Sequence, residues 1–187
     1  MLSRRQFFGW AAGVLPAAML VKHAHAAAMS ELRAAPETLD ALGMAILPSE
    51  LGEPGARRIV AGFRRWLDEY KEGAEVNHPY GSSRLSVTGP TPATRWMPQL
   101  DALEAAARKS HGSGFAAVAR DQQRALVREA LASERATGIQ APERANHVAA
   151  ALLGYFFTSS QATDLCYLAP IGRNTCRPLT KSPQRPT

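Results

Sequence analysis

Residues 55–71 read GARRIVAGFRRWLDEYK. Ile59, Phe63, Trp66, Leu67 and Tyr70 recur at steps of three and four, which gathers them on one face of an α-helix, while Arg57, Arg64, Arg65, Asp68 and Lys71 fall elsewhere. A strand would need a period of two. A helix with one aromatic face must bury it against other apolar faces, and the rest of the chain offers helical rather than alternating patterns, so the expected fold is a small all-α domain. The same face has a second reading as a partner surface, because aromatic side chains are enriched at interfaces, although core is their commoner fate. Phe63, Trp66 and Tyr70 are therefore candidate contact residues as well as candidate core.

Working outward, residues 36–47 place Pro36 at a first helical position and Leu39, Leu42 and Ile46 at helical spacing, with Pro48 as the stop. Residues 49–55 read as a tight connection. On the other side, residues 73–98 are punctuated by Asn77, Pro79, Gly81, Gly89, Pro90, Pro92 and Pro98 and read as one long irregular loop, with room for a short hairpin around Leu85-Ser86-Val87. Tyr80 and Trp96 on that loop either line a partner surface or pin the loop to its own domain. Leu100, Leu103, Ala106 and Ala107 mark a helix ending near Lys109, and His111-Gly112-Ser113-Gly114 a turn. A short piece begins at Phe115. Asp121 is a candidate cap for a helix carrying Leu126, Val127 and Leu131. Residues 134–141 read as a loop, and a last helix starts near Pro142 and runs through Val148, Leu152, Phe156 and Phe157. Beyond Gln161 the spacing becomes irregular, and the tail is expected to lack helix.

The chain opens with Ser3-Arg4-Arg5-Gln6-Phe7-Phe8, followed by an apolar run to Val21, Lys22 and the small-residue pattern Ala24-His25-Ala26. Paired arginines ahead of a short apolar run and an Ala-x-Ala site form a twin-arginine export signal, cleaved after Ala26. The expected organisation is a signal at residues 1–26 and one helical domain at 27–187, delivered to the periplasm by the twin-arginine translocase, which carries folded cargo. In an oxidising compartment Cys166 and Cys176, the only cysteines, are expected to form a disulfide that pins the irregular tail; a bridge to another subunit is the alternative. Tyr167, next to Cys166, joins the candidate contact residues.

The 187 residues carry a formal charge of +6; the first 26 hold three of the positive charges and no acid, so the remainder carries +3. Its basic residues are interspersed with acids, which argues against nucleic-acid binding. No dinucleotide or P-loop glycine pattern, haem-attachment motif, Gly-x-Ser-x-Gly or His-x-x-x-His spacing occurs. That leaves no catalytic, cofactor-binding or metal residue to nominate by motif. A stand-alone periplasmic enzyme with a dispersed acid-base site would draw on His78, His111, Glu69 and Asp164. A third reading is a binding module tethered by an uncleaved N-terminus.

Thr38-Leu39-Asp40-Ala41-Leu42, Ile46-Leu47-Pro48-Ser49, Pro54-Gly55-Ala56 before the aromatic helix, then Phe115, Gln122-Gln123, Leu126 and Phe156-Phe157 follow in an order that resembles the subunit 3 family of membrane-associated gluconate 2-dehydrogenase. Members commonly carry a Tyr-Gly-Gly-Asn-like stretch near the C-terminus, where this chain has Tyr167-Leu168-Ala169-Pro170. The resemblance implies a non-catalytic small subunit without a cofactor of its own. Its partner would be a large flavoprotein of the glucose-methanol-choline type, which holds FAD and oxidises a sugar or sugar acid. A multihaem cytochrome c is implied as a third subunit, and through it an association with the inner membrane. The small subunit would carry the flavoprotein through the twin-arginine route as a folded complex.

Overall fold

A computed structural model describes residues 36–77, 86–132 and 138–168. The export-signal residues Ser3 to Phe8, the cleavage-site residues Ala24 and Ala26, His78, Tyr80, and Cys176 lie outside the described residues. Six α-helices and a two-stranded ribbon make up the described fold, which is all-α in class. Helix α1 spans Pro36–Ile46, α2 Gly52–Asp68, α3 Ala93–His111, α4 Arg120–Ala130, α5 Val148–Phe157 and α6 Ser160–Tyr167.

Helix α1 sits at the centre, packed on α2, α4 and α5, and buries Leu39 and Leu42 completely. The approach to α2 is close: a Cβ at Gly43 would stand 2.3 Å from Val60 Cγ2. Helix α2 begins at Gly52, three residues before the sequence pattern starts, because Pro54 falls in the first turn, where its missing N–H has no intrahelical partner to lose. Its buried face is Ile59, Val60, Phe63 and Leu67.

The described parts of the stretch 73–98, residues 73–77 and 86–98, hold more regular structure than their prolines and glycines indicate. Strands β1 (Glu75–Asn77) and β2 (Ser86–Val87) pair antiparallel, with Glu75 opposite Val87 and Asn77 opposite Ser86 across an irregular register. Trp96, Met97 and Pro98 then belong to α3, not to a loop. A proline inside a helix costs about 3 kcal/mol, but α3 buries Trp96, Met97, Leu100 and Leu103 on one face, each contributing roughly 1.5–3 kcal/mol. Burial outweighs the break. Gly112, at φ 70°, closes the helix in the left-handed conformation that glycine adopts without strain.

Three further readings are corrected. Asp121 does not cap α4; Ala119 holds the cap position, its N–H donating to Gln122 Oε1 (3.2 Å), while Asp121 lies exposed in the first turn and pairs with Arg124 (3.5 Å). The helix expected from Pro142 is a single 3-10 turn at Pro142–Arg144, after which Ala145 and His147 are extended and α5 starts at Val148. Side chains from α3 hold that extended stretch. The segment past Gln161 is helical: Ser159 Oγ accepts the Ala162 N–H (3.3 Å) to start α6, which ends at Leu168 with φ 50°. Cys166 is exposed on α6 and has no disulfide partner among the described residues, and the disulfide-pinned tail finds no support in the described fold. Among the described residues no helix is long and apolar enough to cross a membrane.

Candidate functional site

Helix α2 directs its aromatic residues into a chain of rings. Phe63 stacks on Trp66 and on Trp96, both with centroids 5.7 Å away, and meets the edge of Tyr155 at 5.6 Å; Trp66 in turn meets the edge of Tyr70 at 5.6 Å. Edge and offset geometries are those that the ring quadrupoles favour. Phe63 and Trp96 are wholly buried, whereas Trp66, Tyr70 and Tyr155 are half-buried. The chain of rings therefore runs from the core to the surface.

At its surface end Trp66 and Tyr70 border an open groove of about 1010 Å³, between the C-terminal end of α2, the β1–β2 ribbon, the start of α3 and the turn at Glu143-Arg144. The Tyr70 hydroxyl donates to the Gly89 carbonyl (3.0 Å), the Thr88 N–H to the Ala74 carbonyl (2.8 Å), and the Gly73 N–H to the Thr88 carbonyl (3.0 Å), which ties the ribbon to α2. Opposite, Arg95 Nη2 donates to the Ala145 carbonyl at 2.9 Å and the Trp96 indole N–H to the same oxygen at 3.3 Å. Gln99 donates to the Asn146 carbonyl (2.8 Å) and accepts the Val148 N–H (2.8 Å). These bonds satisfy backbone groups that an extended, partly buried segment leaves without helical partners.

Lys71, Arg95 and Arg144 bring positive charge to the groove, and Glu69 and Glu143 negative charge. Burial pushes the Tyr70 phenol above its ordinary pKa, the Glu143 and Glu72 carboxylates push it the same way, and the Arg95 guanidinium opposes them. Burial likewise raises Tyr155, with Arg65 opposing and Glu69 adding to the rise. Both phenols are neutral hydrogen-bond donors at neutral pH.

Of the candidate contact residues, Trp66 and Tyr70 meet at the groove. Phe63 and Trp96 are part of the chain's own core, so the contact reading is corrected for both: each is fully covered by neighbouring helices. Tyr167 is exposed on α6, beside the exposed Leu168. The residues nominated for a dispersed acid-base site are spread out: Glu69 borders the groove, His111 is exposed at the last position of α3, and Asp164 lies on α6. His147 is buried and caps α5, its Nδ1 accepting the Ala149 N–H at 3.1 Å. Among the described residues no group of three or more His, Cys, Asp or Glu side chains is placed to hold a metal ion.

Sequence reasoning missed Thr91, Glu143, Arg144 and Tyr155. The Glu143-Arg144 turn lies 48 residues from Arg95, and nothing local marks the two as neighbours. Tyr155 had a signal, since Gly62 leaves space on α2: a Cβ there would stand 2.6 Å from the Tyr155 hydroxyl.

Comparison with known proteins gives one positive finding. The family model described as Gluconate 2-dehydrogenase subunit 3 matches residues 34–166. No curated protein and no solved structure matches.

Proposed function

The chain belongs to the gluconate 2-dehydrogenase subunit 3 family, and from that membership we propose that it is the non-catalytic small subunit of a periplasmic, FAD-dependent sugar or sugar-acid dehydrogenase. The family match over residues 34–166 is the observation that carries the reading. In the proposed complex a large flavoprotein of the glucose-methanol-choline type holds the FAD and performs the oxidation. A multihaem cytochrome c subunit takes the electrons and associates the complex with the inner membrane. The small subunit stabilises the flavoprotein and escorts it through the twin-arginine translocase, and Ser3-Arg4-Arg5-Gln6-Phe7-Phe8 supports that role. An open, aromatic-walled groove assembled from three separate chain segments is a surface suited to a protein partner.

The test is a pull-down of the tagged, exported protein with mass spectrometry and an absorption spectrum of the eluate. The expected result is a large co-purifying protein with flavin absorbance, lost from the periplasm when Arg4 and Arg5 are both replaced by Lys. A colourless monomer, exported and active alone on a substrate, would overturn the proposal.

A further inference from the structure

We propose that the groove between α2 and α3 is a carboxylate-binding cleft that receives an extended segment of the flavoprotein subunit, its carboxylate seated against the first turn of α3; this rests on the subunit reading above.

Four observations converge there. Helix α3 is 19 residues long; with the Arg95 and Trp96 N–H groups donating to the Pro92 carbonyl, its N-terminal end leaves the Ala93 and Thr94 N–H groups without intrahelical partners and carries the positive end of the helix dipole. No side chain caps that end. Thr91, one residue before the cap position Pro92 and of a type that caps helices, borders the groove and is only 9% exposed, and its Oγ1 has no hydrogen-bond partner among the described residues. Buried hydroxyls are rarely left so. Arg95 uses a single terminal nitrogen in its bonds to the Glu143 and Ala145 carbonyls, and the planar guanidinium has further donors in a fork that matches a carboxylate. Arg144 stands exposed on the same side.

The groove is also polarised. Its far wall is the C-terminal end of α2, where the dipole is negative and the Glu69 carboxylate is offset by Lys71. At the α3 end Glu143 lowers the positive potential but does not cancel it against Arg95 and Arg144. An acidic group is thus favoured at the α3 end over the α2 end, which gives an occupant a direction. That the occupant is polypeptide follows from the ribbon. Among the described residues each strand of the two-stranded sheet has one edge without a partner, and β2 exposes Ser86 and Val87 (55% exposed) beside the groove. Unpaired strand edges accept an extended chain by main-chain hydrogen bonding.

The test uses the full chain co-produced and exported with its native partner. A photo-crosslinking benzoylphenylalanine replaces Thr94, which is exposed and borders the groove, or Phe157, which is exposed on α5 outside it. Illumination is expected to link position 94 to the flavoprotein through a peptide containing Asp, Glu or the chain terminus. Arg144→Glu is expected to reduce co-purifying flavin at least tenfold with an unchanged far-UV circular dichroism spectrum, and Arg144→Lys to retain it. Links from position 157 alone, with flavin unaffected by Arg144→Glu, would overturn the groove assignment and leave the subunit reading standing. A link at position 94 to a peptide without a carboxylate side chain or terminus would overturn the carboxylate assignment. A chain that captures no flavoprotein from either position, and co-purifies with none, would overturn both.

Discussion

The segment from Glu143 to His147 is held in place by α3, and a double-mutant cycle on Trp96 and Arg95 measures how firmly. Both side chains donate to one acceptor, the carbonyl of the wholly buried Ala145, at 3.3 Å and 2.9 Å. Trp96→Phe removes the longer bond and part of a fully buried ring, for a cost of about 2 kcal/mol. Arg95→Ala removes the shorter bond from an exposed residue, for about 1 kcal/mol. Each single variant leaves the carbonyl with one donor. The double variant leaves it with none, and an unsatisfied buried carbonyl costs a further 1–3 kcal/mol or so. The double variant is therefore expected to lose about 4–6 kcal/mol, with a coupling of at least about 1 kcal/mol, a large fraction of the 5–15 kcal/mol or so typical of a domain. Urea denaturation followed by far-UV circular dichroism reads all four proteins, and an unchanged m-value keeps the comparison valid. Additivity to within about 0.5 kcal/mol would show that water or another donor reaches the carbonyl, and would refute the claim that these two bonds hold the segment.

Three other outcomes follow from the packing. A Cβ at Gly154 would stand 2.2 Å from the Gln140 backbone oxygen, so Gly154→Ala is expected to lower stability by about 1–3 kcal/mol despite alanine's better helix propensity; a raised melting temperature would contradict the close approach of residue 140 to α5. His147 caps α5 through Nδ1, so His147→Ala is expected to lose about 1 kcal/mol or more and His147→Asn to recover part of it, with equal losses in chemical denaturation counting against a capping role. Tyr70 and Tyr155 have folded pKa values raised by burial above their ordinary 10.0. The folded state therefore holds their protons longer than the unfolded chain, and the stability they contribute is complete below pH 10 and lost as pH rises through the raised values. Ultraviolet titration of the folded domain should show the delayed ionisation, and Tyr70→Phe with Tyr155→Phe should flatten the alkaline loss of stability.

Much of the architecture is legible in local spacing. The period of Ile59, Phe63, Trp66 and Leu67 places α2, and Leu39 and Leu42 place α1, because burying a helix face demands that spacing wherever the face ends up. The misreadings share a cause. Pro98 is a strong local breaker, yet α3 runs through it because the burial of Trp96, Met97, Leu100 and Leu103 exceeds its cost. Pro142 is a good helix start, yet the chain stays extended to His147 because Arg95, Trp96 and Gln99 supply the partners that a helix would otherwise provide. Half of the groove was visible as the aromatic residues Trp66 and Tyr70. The other half, Thr91, Glu143 and Arg144, carries no local pattern.

By itself the sequence determined the helical class, the aromatic face at its centre and the family, since each is a matter of residue type and spacing along the chain. Only the tertiary structure decided which aromatics are core and which are surface. Phe63 and Trp66 are three residues apart on one helix, and the difference between a buried ring and a half-buried one is set by what α3 and α5 place over them. The same holds for the groove, whose walls come from residues 66–74, 86–95 and 143–144. Contacts between residues so distant in sequence depend on how whole helices dock, and docking follows from the total surface buried rather than from any short motif.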